Sequence, residues 1–223
     1  MLDLTQKQFV KHAVFHPFEG FEDLRWKKAG SLKYAFLIIV LLFFAQIAYN
    51  RLYGFQYYVS YDKMFNIIPY ITQSFIIFGT WVIANWAVCT LLDGEGSLKN
   101  ICVYSAYAMI PYIAQIYINT ILSHVLVRDE YIFIQAVSII GTGWTVILIF
   151  SAIKAVHQYS FMKTVFAIIL TIAAMLIILF LLVLLLSLLQ QVYVFGYSIY
   201  TEIAYRIKAV SYTHLTLPTN SRV

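Results

Sequence analysis

Charged side chains are scarce in this sequence, and none of them lies in the interior of a long apolar run. Lys, Arg, Asp and Glu make up 11% of the 223 residues, hydrophobic residues make up 62%, and the mean hydropathy is +0.80. A soluble domain, with about 25% charged residues, could not bury so much apolar surface. Ionisable groups inside a membrane are the usual mark of proton relays and ion-coupled pathways. Their absence from the apolar runs argues against a coupled transporter.

Cysteine is equally rare. The two cysteines, Cys89 and Cys102, are too few for a disulfide framework, and we interpret them as small apolar packing residues. The histidines His16, His124 and His157 are scattered, and none has the spacing of a metal site or of a nucleophile and its base. We therefore expect no catalytic residue, no metal ligand and no cofactor, and we interpret these histidines as solvated or interfacial. The protein is predicted not to be an enzyme.

Long apolar runs are what the sequence has in abundance. A helix needs about 20 residues to cross a hydrocarbon core of about 30 Å, and these runs are too long and too evenly apolar to be strands. The predicted fold class is all-α: a polytopic integral membrane protein in the lipid bilayer, with a five-helix transmembrane domain at residues 32–199. The predicted spans are residues 32–49, 67–92, 101–122, 131–153 and 164–189.

The N-terminal segment, residues 1–31, is amphipathic. Phe18, Phe21 and Leu24 recur at helical spacing, while the charged residues between them face away. Trp26 and two lysines follow, which is typical of an interfacial segment. We expect this cytoplasmic segment to lie in the headgroup layer as a lead-in to the first span, and a helix that binds a partner is the alternative.

Lys and Arg are unevenly divided between the two sides of the predicted membrane. Nine lie in the N-terminal segment or in loops on its side, against five on the other side. The positive-inside rule then predicts a cytoplasmic N-terminus, and five spans place the C-terminus outside, with residues 200–209 as an extracytoplasmic tail. A hairpin in the fifth run would instead return the C-terminus inside. The net charge of +5 does not predict nucleic-acid binding, because the basic residues sit at the ends of apolar runs.

The last stretch, residues 210–223, differs abruptly from what precedes it. It is polar and rich in turn-forming residues, and it matches the in-frame translation of a transposon-based sequencing adapter. We therefore predict that residues 210–223 are a sequencing-adapter scar rather than native sequence. His214 and Arg222 are given no functional role.

A short loop with two glycines separates the second and third spans. A phosphate-binding loop would follow a strand and continue into a Gly-Lys-Ser/Thr run, and neither feature is present. Two carboxylates would also repel phosphate. We interpret the loop as a tight cytoplasmic turn between antiparallel helices, in which the last residue caps the next helix. Its residues are Asp93, Gly94, Glu95, Gly96 and Ser97.

Neutral polar residues take the place of charges inside the spans. At about 100° per residue, the third-span residues Tyr104, Ala108, Pro111, Gln115 and Asn119 fall within an arc of roughly 80°. Similar stripes follow the second span, with Gln73 and Thr80, and the fourth span. Such stripes let helices approach and hydrogen bond, so structural association is one interpretation and a substrate path is the other. The predicted stripe comprises Tyr104, Tyr107, Pro111, Gln115, Asn119, Gln135 and Thr142.

Pro111 interrupts the backbone hydrogen bonding of the third span. Because proline has no amide hydrogen, the carbonyl of Tyr107 loses its helical partner, and a kink is predicted there. The kink serves packing on one interpretation and acts as a hinge on the other. A functional centre, if there is one, is expected beside Pro111.

The order of the spans and two short sequence motifs together resemble a known family. Five spans after a cytoplasmic N-terminus, the turn Gly94 to Ser97 and the stretch Tyr107 to Tyr112 are similar to the Yip-domain family over residues 17–199, and His16 to Gly20 resembles its bacterial branch. The eukaryotic founders of that family interact with Rab-type GTPases in vesicle traffic. The resemblance implies a small integral membrane protein of a bacterial plasma membrane.

Two departures separate this chain from the eukaryotic members. Their Asp-Leu, aromatic, Gly-Pro motif is replaced here, since Asp23 and Leu24 are followed by Arg25 and Trp26, and their Gly-Tyr pair is replaced by an Ala-Tyr pair. A GTPase partner is therefore not supported. Two functions remain open: a non-enzymatic adaptor or scaffold that associates with a membrane protein partner or with itself, and a transport component, pore or permease-like subunit whose route follows the polar stripes.

Overall fold

The structure, a computed structural model, describes residues 6–27, 29–57 and 65–215. All secondary structure in these ranges is helical, which confirms the predicted all-α class. A π-helical turn at Thr72–Ile76 and two short 3₁₀ helices, Phe55–Tyr57 and Arg128–Glu130, accompany the α-helices. The α-helices are α1 Gln6–Phe15, α2 Pro17–Trp26, α3 Leu32–Arg51, α4 Ile68–Ile71, α5 Ile77–Leu91, α6 Leu98–Ala108, α7 Ile110–Val125, α8 Tyr131–His157 and α9 Phe161–Leu215.

Five stretches of helix are long and apolar enough to cross a membrane, as predicted. Four of them agree with the predicted spans to within a few residues at each end. These stretches are Leu32–Arg51, Ile68–Leu91, Leu98–Val125, Arg128–His157 and Phe161–Val210.

The fifth stretch differs from the predicted span 164–189. The helix α9 continues without a break for 55 residues, so the hairpin considered for this run is wrong. Its physical reason is local: between Phe161 and Leu215 there is no proline and one glycine, Gly196, so nothing forces the helix to end. Residues 216–223 of the predicted scar lie outside the described part of the chain.

Contacts divide the chain into two compact units, Met1–Leu176 and Ile177–Val223. The first unit has a continuous apolar core at the meeting of α6 and α8 with α2, α3 and α7. Tyr107, Phe21 and Leu24 are among its largest fully buried side chains. The second unit is the later part of α9, where nearly every described side chain is exposed.

The N-terminal helices α1 and α2 form a hairpin that packs on the membrane helices. A Cβ atom at Gly20 would lie 2.5 Å from the Cα of Ala13, so glycine permits the close approach of α2 to α1. Phe21 and Leu24 are completely buried. Phe21 and Leu24 of the predicted apolar face therefore pack against protein, because α8 and Tyr104 of α6 offer apolar surface nearby, whereas Phe18 is 53% exposed.

The third span is interrupted beside Pro111, as predicted. The helix α6 ends at Ala108, Met109 links the two helices, and Pro111 lies in the first turn of α7, where a missing amide hydrogen does no harm. The expectation of an unpaired Tyr107 carbonyl is wrong. The backbone N–H of Met109 reaches the carbonyl oxygens of Ala106 and Tyr107, because the chain tightens there.

Candidate functional site

In the glycine loop between α5 and α6, the last residue caps α6 as predicted, but the residue with a positive φ is not a glycine. The backbone N–H of Asn100 donates to Ser97 Oγ over 3.3 Å, which confirms Ser97 as the N-cap of α6. The left-handed residue of the loop is Asp93, with φ of 54°, and neither glycine has a positive φ. The glycines are therefore not needed for the backbone conformation, and their reason lies in what packs against them.

Both glycines lie against the end of α8. A Cβ atom at Gly94 would be 2.5 Å from His157 Nδ1 and 2.5 Å from the Tyr159 hydroxyl. A Cβ atom at Gly96 would be 2.5 Å from His157 Cε1 and 2.8 Å from the side chain of Val156. Any larger residue would push the loop away from α8. The loop is thus one half of a packed joint rather than an isolated turn.

His157 lies at the centre of this joint, and the prediction of a solvated histidine is wrong. Its side chain is 2% exposed. The Gly96 N–H donates to Nδ1 over 3.3 Å, and Nε2 lies 3.2 Å from Asn85 Oδ1. Because Nδ1 accepts, the ring proton resides on Nε2 and is donated to Asn85. Both ring nitrogens are used by a neutral imidazole.

Arg25 ties the N-terminal hairpin to the same joint. Its Nη1 donates to the carbonyl oxygens of Ala155 and Val156 over 2.8 and 2.6 Å, and its Nη2 pairs with the Glu95 carboxylate. A guanidinium is well suited to this place, because the last carbonyls of a helix lack partners and carry negative partial charge. Arg25 is the first residue after Asp23 and Leu24, the point at which the sequence departs from the eukaryotic motif.

Two further contacts extend the joint to α5 and α9. Asn85 Nδ2 donates to Thr171 Oγ1 over 3.2 Å. The Tyr159 hydroxyl donates to the carbonyls of Cys89 and Leu92 over 3.1 and 3.2 Å, and burial raises the pKa of Tyr159, which keeps that phenol protonated. We call Arg25, Asn85, Glu95, His157 and Tyr159 the loop cluster. Its hydrogen bonds and its ion pair join α2, α5, the glycine loop and the end of α8 in one structural joint.

The predicted polar stripe is divided between two environments. Tyr104 and Tyr107 lie in the apolar core, where Tyr104 meets the ring of Phe21 at 5.9 Å and the Tyr107 hydroxyl accepts from the Ser31 N–H over 3.4 Å. Gln115 and Asn119 lie beyond the break at Met109, in a polar region.

On α8, the stripe is divided in the same way. Thr142 joins the polar region through Gln115, whereas Gln135 is exposed and does not line that region. The structure thus brings together three of the predicted residues, Gln115, Asn119 and Thr142. Pro111 is half-buried near the start of α7, one turn before Gln115.

The polar region is a cleft of about 320 Å³ among α3, the π-helical turn, α7 and α8. Five carboxamide side chains line it together with hydroxyl groups, and no charged residue belongs to the lining. We call it the polar cleft. Its residues are Gln46, Tyr49, Asn50, Gln73, Tyr112, Gln115, Ile116, Asn119 and Ser138.

Hydrogen bonds position two carboxamides of the polar cleft. Gln115 Nε2 donates to Thr142 Oγ1 over 3.1 Å, and Gly141 provides the space, since a Cβ there would meet Gln115 Oε1 at 2.5 Å. Asn119 Nδ2 donates to Ser138 Oγ over 2.7 Å, and Ser138 itself donates to the Ile134 carbonyl. This arrangement fixes the amide orientation of Asn119. Its Oδ1 is buried and has no hydrogen-bond partner within the described residues.

Sequence reasoning missed part of the polar cleft. Gln46, Tyr49 and Asn50 come from the first span, which was not assigned a polar stripe, although their spacing of three and four residues places them on one helical side. Gln73 belongs to the polar side predicted for the second span, but it lies in the π-helical turn Thr72–Ile76, a distortion that often accompanies functional sites and that no sequence feature indicated. Among the described residues, no group of three His, Cys, Asp or Glu side chains could hold a metal ion.

Comparison with known proteins gives one match. The family model described as the Yip1 domain matches residues 11–201, from α1 to the later part of α9. No curated protein and no solved structure matches the chain. The family match covers most of the sequence and includes the interrupted third span, the glycine loop and the polar cleft. This chain therefore belongs to the Yip1 domain family of multi-pass membrane proteins.

Proposed function

We propose that the protein is a non-enzymatic membrane adaptor or scaffold that pairs α9 with another membrane helix. The observation that carries this proposal is a row of exposed or half-exposed residues on α9 whose spacing alternates between four and three residues. We call this row the α9 seam. It comprises Ser187, Gln191, Val194, Ser198 and Thr201.

Alternating steps of four and three are the spacing of a contact between two helices, because they keep one side of each helix toward its partner. The serines are small enough for close approach. Gln191 stands in a strongly apolar helix, and its carboxamide has no partner within the described residues. A second helix that carries a hydrogen-bonding group would supply one, at about 0.6–2 kcal/mol for each contact.

The N-terminal hairpin is a weaker candidate for association. Two of the three residues of its predicted apolar face, Phe21 and Leu24, are already fully buried by the chain itself. Exposed apolar side chains remain at Phe18 and Trp26, which are 53% and 71% exposed, but they do not form a row. The α9 seam is therefore the better supported surface for a partner helix.

Crosslinking from the α9 seam in the native membrane tests this proposal. A photo-crosslinking amino acid placed at Val194 is expected to give a discrete product, either a dimer of this chain or a complex with one other membrane protein. Val192 is the matched control, because it is also an exposed valine but lies about 160° away around the helix. The product is identified by mass spectrometry after gentle solubilisation.

The two positions give opposite outcomes if the seam pairs with a helix. A strong product from Val194 and none from Val192 supports the adaptor role. Equal products from both positions would indicate random collisions, and a lack of product from Val194 together with monomeric protein in mild detergent would sink the proposal.

A transport component is the second candidate, and the polar cleft is the observation that favours it. The predicted route continued along α6 through Tyr104 and Tyr107, yet these two side chains are buried among apolar residues. The polar residues therefore stop short of a path along the whole third span, which makes transport the less supported function.

Flux measurements in proteoliposomes test the second candidate. If the polar cleft carries a small neutral solute such as glycerol or glucose, replacing both Gln115 and Asn119 with leucine is expected to abolish flux without a loss of folding. The control is Gln135→Leu, which makes the same chemical change on α8 outside the cleft. Unchanged flux in the double variant would remove the cleft from any transport route.

A further inference from the structure

The polar cleft does not stand alone, because two other cavities share residues with it. An apolar pocket of about 200 Å³, whose wall includes Leu42, Trp81 and Met109, shares Gln73 with the cleft. An aromatic cavity of about 370 Å³, formed by tyrosines and Arg128, shares Tyr49 with it. All three cavities lie within the first unit of the chain.

The helix α3 lines all three cavities with residues on one side. Leu42 faces the apolar pocket, Gln46 lines the polar cleft, and Tyr49 lines both the polar cleft and the aromatic cavity. Their separations, four and three residues, keep them on one face of the helix.

The third span repeats this order. Met109, between α6 and α7, lines the apolar pocket, and Gln115 and Asn119 on α7 line the polar cleft. Two neighbouring helices thus pass from an apolar to a polar lining in the same direction along the chain.

We propose that the apolar pocket and the polar cleft form one binding site for an amphiphile, with an acyl chain in the pocket and a neutral, hydroxyl-rich headgroup in the cleft. The adjoining volumes, about 200 and 320 Å³, together fall in the range of small-molecule sites, about 300–1,000 Å³. A glycosyl diacylglycerol is a lipid of this chemistry. The site does not depend on the pairing of α9.

The lining determines the headgroup chemistry. Carboxamides both donate and accept hydrogen bonds, as hydroxyl groups do, and five of them converge on the cleft without any charged residue. A phosphate or an ammonium group would find no opposite charge among them. The buried Oδ1 of Asn119 has no partner within the described residues, which leaves an unused acceptor on a residue that lines the cleft.

A tryptophan in the wall of the apolar pocket can report on a bound acyl chain through its fluorescence. The Trp81 indole lines the pocket and donates to Ser105 Oγ over 3.2 Å. A bromine atom on an acyl chain in the pocket would quench its fluorescence. Substituting phenylalanine for the other three tryptophans leaves Trp81 as the only tryptophan, so its emission can be excited selectively; they are Trp26, Trp86 and Trp144.

The test compares headgroups at one low mole fraction of brominated lipid in phosphatidylcholine vesicles that contain the single-tryptophan protein. Brominated glucosyl diacylglycerol is expected to quench Trp81 several-fold more than brominated phosphatidylcholine. Equal quenching would mean that the cleft holds only water or selects nothing, and this result would overturn the proposal. Stronger quenching by brominated phosphatidylglycerol than by the glucosyl lipid would overturn the neutral class of headgroup.

Variants of the cleft separate the headgroup from the chain. Gln115→Leu with Asn119→Leu is expected to remove the preference for the glucosyl lipid, and Gln46→Leu gives an independent test from α3 should the double variant fail to fold. Gln135→Leu lies outside the cleft and should keep the preference. Retention of the preference in both Gln46→Leu and the folded double variant would overturn the proposal.

A free sugar is the other source of the same headgroup chemistry. Methyl glucoside carries the headgroup without a chain, so at equal concentration it is expected to leave the quenching by the glucosyl lipid unchanged. Displacement of the brominated lipid by methyl glucoside at that concentration would assign the cleft to a soluble sugar and would overturn the amphiphile.

Discussion

His157→Leu is expected to lower the free energy of unfolding by about 2–4 kcal/mol, since it leaves one buried and one partly buried group without hydrogen bonds. The groups are the Gly96 N–H, which donates to Nδ1, and Asn85 Oδ1, which accepts from Nε2. The side chain of Asn85 is completely buried, so water cannot take over the lost contact. The measurement is the thermal or denaturant unfolding of the purified protein in one mild detergent.

His16→Leu is the matched control for this change. His16 is exposed, and its side chain does not cap α2. The control should unfold within about 0.5 kcal/mol of the parent protein, as surface substitutions usually do. Hydrogen exchange adds a local readout, because the Gly96 amide should lose protection in His157→Leu. An equal loss of stability in both variants would contradict the central place of His157 in the loop cluster.

Gly94→Ala is expected to destabilise the protein by about 1–3 kcal/mol through overpacking. The new Cβ would lie 2.5 Å from His157 Nδ1, 2.5 Å from the Tyr159 hydroxyl and 2.8 Å from the Cys89 carbonyl oxygen. The carbonyl cannot move freely, because it already accepts hydrogen bonds from Tyr159 and from the Gly94 N–H itself. Relief therefore requires that the whole loop move away from α8.

Gly143→Ala is the control, and its change in stability is expected to have the opposite sign. A Cβ atom at Gly143 would meet nothing within 4 Å, and the residue lies in the interior of α8. Alanine is favoured over glycine in a helix by roughly 0.5–1 kcal/mol, so this variant should gain stability or stay neutral. Both unfolding curves are recorded in the same detergent. A similar shift of the two variants in the same direction would show that close packing is not the reason for glycine at position 94.

Both experiments address the joint through which the elements of the first unit meet. Arg25 brings in the N-terminal hairpin, Asn85 belongs to α5, and Thr171 belongs to the beginning of α9. The joint is distinct from the polar cleft, where Gln115 and Asn119 lie. A loss of stability in the joint with an unchanged headgroup preference at Trp81 would separate the two regions experimentally.

Local sequence patterns were sufficient for the membrane helices and for the cap of α6. Apolar runs such as Ile101 to Leu122 exceed the thickness of the hydrocarbon core, and the requirement to pair every backbone polar group in lipid makes them helical wherever they pack. Ser97 acts on the N–H of Asn100, three residues away, so its role is also local. The interruption at Pro111 follows from the missing amide hydrogen in the same way.

These local patterns did not predict whether an individual side chain is buried or solvated. His157 carries the same chemical groups whether it is solvated or buried, and its burial depends on Gly96 and Asn85, which lie 61 and 72 residues away in the chain. Phe21 and Leu24 form an apolar face that would suit a headgroup layer as well as a protein surface. That choice depends on whether α6 and α8 expose a complementary surface nearby.

The sequence by itself determined the helical class, the number of spans, the loop between α5 and α6 and the break beside Pro111, because each of these follows from interactions within a few turns of the chain. Only the tertiary structure decided that the loop glycines serve close packing against His157, that Arg25 closes the end of α8, and that Gln46 of α3 joins Gln115 and Asn119 in one polar cleft. These arrangements depend on which helices become neighbours, and hydropathy and helical periodicity are the same for many such arrangements.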